Sequence, residues 1–95
     1  MEVINNKRGF SFEIVLPDGE IAHLDYRWLK GSMVLMHTVV PPSARGMGIG
    51  GKLVKYVLDY ARNNGLKIIV YCSFVAKYLE KHTEYADLID DSQKR

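Results

Sequence analysis

A glycine-rich run between a strand pattern and a helix pattern constrains the fold more than any other segment of this chain. Residues 45–52 read Arg-Gly-Met-Gly-Ile-Gly-Gly-Lys, and Pro41-Pro42 just before them ends the apolar stretch Met33 to Val40. Proline cannot donate a ladder hydrogen bond, so a central strand stops there. After the run, apolar residues recur at helical spacing from Ile49 to Ala61. The sequence therefore predicts a strand, a glycine loop and a helix in succession.

Three phosphate-binding patterns overlap in this run. They are G-x-G-x-x-G at Gly46, Gly48 and Gly51, G-x-x-x-x-G-K at Gly46, Gly51 and Lys52, and R-x-x-G-x-G at Arg45, Gly48 and Gly50. All three depend on the same physics, because glycine leaves its backbone N–H groups unshielded by a Cβ atom. The following helix adds the positive end of its dipole, which favours an anion.

The surroundings of the run exclude two of the three patterns. A P-loop needs Ser or Thr after the lysine and a carboxylate on a later strand, but Leu53 follows Lys52 and the strand Leu66 to Cys72 has no carboxylate. A dinucleotide fingerprint needs an acidic residue at the end of that strand, where Tyr71-Cys72-Ser73 stands instead. Only the R-x-x-G-x-G pattern fits.

The remaining segments predict a sheet on both sides of this unit. Alternating apolar residues predict strands at Phe10 to Leu16 and Ile21 to Leu29, with a short edge strand at Val3-Ile4. A buried strand over Leu66 to Cys72 and a short helix over Phe74 to Lys81 follow. We therefore expect an α/β chain of the α+β type. It has a mixed, mainly antiparallel sheet of about five strands, one strand–glycine loop–helix–strand unit with parallel strands, and a short C-terminal helix.

Length and charge limit the class of protein. The 95 residues predict one domain, residues 1–95, with its core at about residues 3–85 and a disordered tail at 90–95. Thirteen basic and eleven acidic side chains leave a net charge of +2 without a basic stripe, so nucleic-acid binding is not expected. No membrane span or signal peptide is apparent, which predicts a cytoplasmic protein. A single cysteine, Cys72, predicts neither an internal disulfide nor a metal cluster.

Several separated blocks of sequence resemble one known family. They are His-Thr-Val-Val-Pro-Pro-Ser-Ala-Arg-Gly-Met-Gly-Ile-Gly at 37–50, Leu53-Val54, Ala-Arg-Asn-Asn-Gly-Leu-Lys at 61–67, Cys-Ser-Phe-Val at 72–75 and His-Thr-Glu-Tyr at 82–85. Together they resemble the short, GNAT-like form of the N-acetyltransferase domain, from Phe10 to about Tyr85. Blocks spread over nearly the whole chain are more specific than any single glycine pattern.

The resemblance implies acetyl-CoA as cofactor. Backbone N–H groups from Arg45 to Gly51 would hold its pyrophosphate, and main chain at Val39 and Val40 would contact its acyl-pantetheine arm. The residues expected to bind the cofactor are Val39, Val40, Arg45, Gly46, Met47, Gly48, Ile49, Gly50, Gly51, Lys52, Cys72 and Phe74. The implied partners are acetyl-CoA and an amine acceptor, for which a protein is one candidate, and the chain is expected to be a monomer or a weak dimer.

Aminolysis of a thioester needs a base, because a primary amine with a pKa near about 10 is almost fully protonated at neutral pH. His37 is a candidate base, expected on the same strand face as Leu35 and Val39, although a strand histidine can also be purely structural. Cys72 could form an acyl-enzyme, assist proton transfer, or only pack beside the cofactor. Tyr78 is where the family often has a tyrosine that protonates the thiolate, and His82 is a further candidate.

Two departures from the family pattern bear on function. Many relatives have Glu where this chain has Val39, and the two helices that longer relatives place after their first strand are missing. The acceptor site is therefore expected to be open, or to be completed by a partner or the substrate. The predicted function is transfer of an acetyl group from acetyl-CoA to an amine, with a protein lysine or N-terminus as candidates. The alternative is a CoA-binding or protein-interaction module with little or no transferase activity.

Overall fold

Residues 1–93 are described by a computed structural model with a mixed sheet at its centre. The strands are β1 (Ile4–Asn6), β2 (Ser11–Val15), β3 (Ile21–Leu29), β4 (Ser32–Val39) and β5 (Ile68–Val70), and the helices are α1 (Ile49–Asn63) and α2 (Ser73–Lys81). Short 3₁₀ turns lie at Pro42–Ala44, Thr83–Leu88 and Asp91–Gln93. The strands are ordered β1-β2-β3-β4-β5, and among the paired strands of residues 1–93 only β4 and β5 run parallel. The predicted fold class is confirmed.

The hydrophobic core lies between one face of the sheet and α1. The helical spacing of the apolar residues puts five fully buried side chains on one side of α1: Leu53, Val54, Val57, Leu58 and Ala61. They join alternating strand residues, such as Leu24 and Leu35, in one cluster that α2 extends through Val75. Because both helices complete this cluster, the sheet has one face covered by helices and one that is not.

A β-bulge in β4 changes the face on which its second half presents side chains. Asp25 of β3 lies opposite His37. The next residue of β3 lies opposite Leu35, so Met36 is an extra residue on β4. An extra residue inverts the alternation of side chains beyond it. His37 therefore lies on the face opposite Leu35, and the prediction that the two share a face is wrong because a bulge has no local sequence signal.

The two parallel strands separate just after Leu35. The N–H groups of Tyr71 and Cys72 both donate to the Leu35 carbonyl, at 3.0 and 3.1 Å. Strand β5 itself is shorter than predicted and ends at Val70, whereas β4 continues to Val39. Among residues 1–93, no strand pairs with β4 on this side beyond Leu35. The sheet thus opens a cleft at the end of β4, next to the glycine loop.

The C-terminal segment differs from the predicted disordered tail. The Ser32 hydroxyl donates to the Asp90 carboxylate at 2.5 Å, and the Gln93 side chain bonds to both the N–H and the carbonyl of Val70. The segment follows the outer edge of β5, where unpaired backbone groups need hydrogen-bond partners. The prediction is therefore corrected for residues 90–93, and residues 94–95 lie outside the described part of the chain.

The Asp90 contact should make stability depend on pH in the acid range. Hydrogen bonds from the Ser32 hydroxyl and the Ser92 N–H lower the pKa of Asp90 to about 2. An aspartate in the unfolded chain titrates near about 3.9, so folding favours the ionised form above that pH and loses this contribution as pH falls toward about 2. We expect Asp90→Asn to lower the thermal midpoint at neutral pH, and the midpoints of variant and wild type to converge in acid. Midpoints that stay a constant distance apart would contradict this role.

Candidate cofactor site

A cavity of about 530 Å³ lies where β4, the glycine loop and the first turns of α1 and α2 meet. Its wall is formed by Thr38, Val39, Val40, Ala44, Arg45, Gly46, Gly48, Ile49, Gly50, Gly51 and Phe74. This volume is within the usual range of small-molecule sites. Most residues expected to bind the cofactor are brought together here. Thr38 and Ala44 also line the cavity, and the sequence patterns did not single them out.

The glycine loop presents backbone donors to this cavity. Gly46 and Gly48 have φ values of 81° and 75°, in the left-handed region that favours glycine. Gly48 is the N-cap of α1, and the first intrahelical bond runs from the Lys52 N–H to the Gly48 carbonyl. The N–H groups of residues 49–51 therefore have no acceptor within the helix. Because no acidic residue stands in this first turn, the helix end favours an anion.

Gly50 allows the two helices to approach closely. A Cβ atom at this position would lie 2.7 Å from Cζ of Phe74, which is closer than real side chains come. The Phe74 ring is partly exposed and forms one wall of the cavity. Glycine at position 50 thus lets an aromatic ring of α2 stand beside the free N–H groups of α1.

Three predicted cofactor residues have different positions relative to the cavity. Arg45 lines it, and its Nε–H donates to the Val40 carbonyl at 3.3 Å, which holds the side chain along the wall. Met47 is 62% exposed and does not line the cavity. Lys52 also lies outside the cavity wall, near the Met1 amino group, whose pKa it lowers by hydrogen bonding and charge repulsion.

Cys72 lies behind the cavity wall rather than in it. It is buried, and its Sγ atom is 3.3 Å from Oγ1 of Thr38, which does line the cavity. Within residues 1–93, Thr38 supplies the one side-chain hydrogen bond to this thiol. The structure therefore brings Cys72 close to the site, but it does not pair the thiol with a histidine.

Tyr78 and His82 form a stacked pair at the side of α2 that faces α1 near Gly51. Their ring centroids are 3.9 Å apart, and the two ring planes are nearly parallel. Tyr78 also approaches Gly51 of α1, and burial raises the pKa of its phenol. The phenol therefore stays protonated and can donate a proton, although neither ring lines the cavity.

His37 is part of a cluster that sequence reasoning missed. Its Nε2 atom is 2.7 Å from Oδ2 of Asp25, and Nδ1 of His23 is 2.8 Å from Oδ1 of the same carboxylate. His23 and Asp25 stand two residues apart on β3, so alternation alone would have put them on one face. Their pairing with His37 depends on the register across the bulge, which the sequence does not reveal.

Two kinds of site are not found in the part of the chain that the structure describes. No group of three or more His, Cys, Asp or Glu side chains is placed to hold a metal ion. No described helix combines the length and apolar character that a membrane span requires.

The sheet with its splayed parallel strands and the glycine loop at a helix N-terminus define the class of this protein. A family model described as GCN5-related N-acetyl-transferase matches residues 11–88, from the start of β2 to the end of the 3₁₀ turn after α2. The chain therefore belongs to the GCN5-related N-acetyltransferase family, as its sequence blocks predicted.

Particular relatives are similar over part or all of the chain. Protein NATD1 of Xenopus tropicalis is 34% identical over 53 residues, which are 56% of this chain and 49% of that protein. Protein NATD1 of Gallus gallus is 38% identical over 48 residues, 50% of this chain and 44% of that protein. The chain thus spans about half the length of the curated relatives that it matches. An NMR structure of a GCN5-like protein from Staphylococcus aureus superposes with a TM-score of 0.68 at 29% identity, covering 99% of this chain and 95% of that one.

Proposed function

We propose that this protein transfers an acetyl group from acetyl-CoA to a primary amine, with a protein lysine or N-terminus as the leading acceptors. Family and fold support acetyl transfer in general. The proposal rests on one observation: a single cavity extends from the free N–H groups of α1 to the edge of β4 that no described strand pairs with beyond Leu35. A ligand with a pyrophosphate at one end and an amide-rich extended arm fits such a cavity.

Each part of acetyl-CoA has a chemical counterpart in the cavity wall. The N–H groups of Gly46 to Gly51 are proposed to hold the pyrophosphate, since those of residues 49–51 have no acceptor within the helix and no acidic residue stands in its first turn. The backbone of β4 at Val39 and Val40 is proposed to pair with the pantetheine arm like an added strand. Phe74 covers the opposite wall. When bound, acetyl-CoA supplies the thioester, and the chain positions it and handles protons.

The surroundings of Cys72 favour direct transfer over an acyl-enzyme. A nucleophilic thiol needs a neighbouring base or positive charge to become a thiolate. Here the Cys72 thiol is buried and hydrogen-bonds to the Thr38 hydroxyl, while His37 is paired with Asp25 instead. We therefore propose that Cys72 supports the wall through Thr38. Tyr78 remains the proposed proton donor to the leaving thiolate.

An acceptor screen tests the proposed function. Purified protein is incubated with acetyl-CoA and spermidine, lysine-containing peptides or peptides with free N-termini, and both free CoA and acetylated product are measured. We expect at least one acceptor class to release CoA well above the buffer rate. Release no faster than buffer for every acceptor would contradict the proposal and favour the CoA-binding or protein-interaction module.

Intact mass measured on the same reactions separates the two chemical routes. Direct transfer predicts no acetyl adduct on the protein when acetyl-CoA is added without acceptor. A hydroxylamine-sensitive adduct that disappears in Cys72→Ala would replace direct transfer by an acyl-enzyme.

A further inference from the structure

The face of the sheet that no helix covers carries a continuous polar cluster. Helices α1 and α2 complete the core on the opposite face. On the uncovered face, His23 and Asp25 of β3 stand beside His37 of β4. Their side chains are 21 to 60% exposed, so a solute can reach them. We call these three residues the His–Asp–His array.

The carboxylate at the centre of the array determines which nitrogen of each ring carries hydrogen. Oδ1 of Asp25 accepts a hydrogen bond from Nδ1 of His23, and Oδ2 lies 2.7 Å from Nε2 of His37, so the carboxylate favours hydrogen on these two nitrogens. Burial raises the pKa of Asp25, but hydrogen bonding to His23 and to the Ser11 hydroxyl, together with the charges of His23 and His37, more than offsets it, so the pKa lies below its usual value. A neutral His37 in this arrangement has a free lone pair on Nδ1. That nitrogen can accept a proton.

The array lies beside the cavity because of the β4 bulge. Beyond Met36 the alternation is inverted, so His37 and Val39 share the uncovered face. Val39 lines the cavity together with Thr38, whose side chain points to the helix side. Residues two apart on a strand are separated by about 7 Å. The His37 ring therefore lies on the same face as Val39, one strand repeat from the cavity wall.

The other charged groups near the array leave it intact. On β2, Glu13 lies opposite His23 and accepts a hydrogen bond from Asn6. On β3, the guanidinium of Arg27 lies over the Phe10 ring and donates to the Tyr26 carbonyl. Glu13 and Arg27 are thus the charged neighbours that face the array from its own sheet. In the part of the chain that the structure describes, neither of them contacts Asp25.

Resting on the proposed function, we infer that Asp25 is the residue that positions His37 as the base for an amine that approaches from the uncovered face. His37 Nδ1 takes one proton from the ammonium, and the freed lone pair forms the N–C bond as the C–S bond of the thioester breaks. The second proton leaves the nitrogen as the thiolate takes one up. The exposed His37 then releases its proton to solvent, so one proton is produced per transfer, with an amide and free CoA.

Asp25→Asn tests this inference, with acetyl-CoA and a lysine-containing peptide as probes. An amide has one accepting oxygen where the carboxylate has two, so one ring must change its protonated nitrogen or lose its partner. We expect kcat to fall by at least about tenfold, because the variant loses part of the roughly 10²–10⁴-fold acceleration that general-base catalysis supplies. The Kd for acetyl-CoA should stay unchanged.

Glu13→Gln is the matched control, since it removes one negative charge from the same face without touching Asp25. An equal loss of kcat in this control would assign the effect to the charge of the face and overturn the inference. A wild-type kcat in Asp25→Asn would overturn the inference while leaving the proposed function intact. No turnover by wild-type protein with any acceptor of the screen would contradict both the inference and the proposed function.

A measurement on the wild-type protein keeps the inference testable if Asp25→Asn does not fold. Long-range ¹H–¹⁵N spectra of the histidine rings distinguish the two neutral forms. We expect His37 to carry its hydrogen on Nε2 and His23 to carry its hydrogen on Nδ1. A His37 ring with hydrogen on Nδ1 would have no free base at the proposed position, and the inference would fail.

Discussion

Replacing Gly46 and Gly48 together by alanine is expected to weaken acetyl-CoA binding by at least about tenfold, since a left-handed conformation costs an L-residue roughly 1–2 kcal/mol. Both residues have positive φ values, 81° and 75°. An alanine chain would relax away from this shape, and the N–H groups of the loop would no longer point into the cavity. The Kd from isothermal titration measures the loss.

Gly31→Ala is the matched control for this double variant. Gly31 has a similar φ of 84°, has nothing within 4 Å of an added Cβ, and lies in the turn between β3 and β4, away from the cavity. It should lower the free energy of unfolding without changing the Kd for acetyl-CoA. Wild-type affinity in the double variant, or equal weakening by Gly31→Ala, would contradict a binding role for the loop.

Leu58→Ala is expected to lower the free energy of unfolding by about 2–5 kcal/mol, a large share of the about 5–15 kcal/mol typical of a domain. Leu58 is fully buried on the core face of α1. Truncation removes contacts with the sheet and leaves a cavity that a close-packed core closes only in part. Chemical denaturation followed by circular dichroism measures the change.

Leu29→Ala removes the same atoms from a side chain that is 50% exposed at the end of β3. It should cost well under half as much as Leu58→Ala, because little apolar surface returns to water. Equal losses in the two variants would mean that α1 does not pack on the sheet as described. Since α1 begins at the glycine loop, the helix must stay docked for the site to exist.

The elements with strong local patterns were predictable from the sequence. Pro41-Pro42 ended β4, the glycines marked the loop, and the apolar spacing from Ile49 to Ala61 fixed both α1 and its buried side. These features depend on backbone geometry and helical periodicity within a few residues. For the same reason the cavity wall at Arg45 to Gly51 largely coincides with the predicted cofactor loop.

The features that were missed depend on contacts between distant segments. The bulge at Met36 arises from pairing with β3, so the face of His37 could not be derived from alternation within β4. Likewise, Asp90 is ordered by Ser32, 58 residues away. Placing Cys72 behind Thr38 needed the exact separation of β4 from β5. Each depends on register or tertiary packing, which single-sequence patterns do not contain.

The bulge also matters for a glutamate that many relatives have on β4 and that this chain lacks. Val39 stands at that position and lines the cavity. The bulge turns His37 toward the same face, where Asp25 supports it from β3. We propose that a carboxylate on the neighbouring strand, acting through a histidine, takes over the role of a carboxylate on β4.

The central claim is that the glycine loop and the end of β4 form one acetyl-CoA site. A ¹H–¹⁵N titration of labelled protein with acetyl-CoA tests it most directly. The claim predicts the largest shifts at the amides of Gly46 to Gly51 and Thr38 to Val40, with Gly31 and Gly65 unchanged. Glycine-loop amides that do not move at millimolar acetyl-CoA would contradict it.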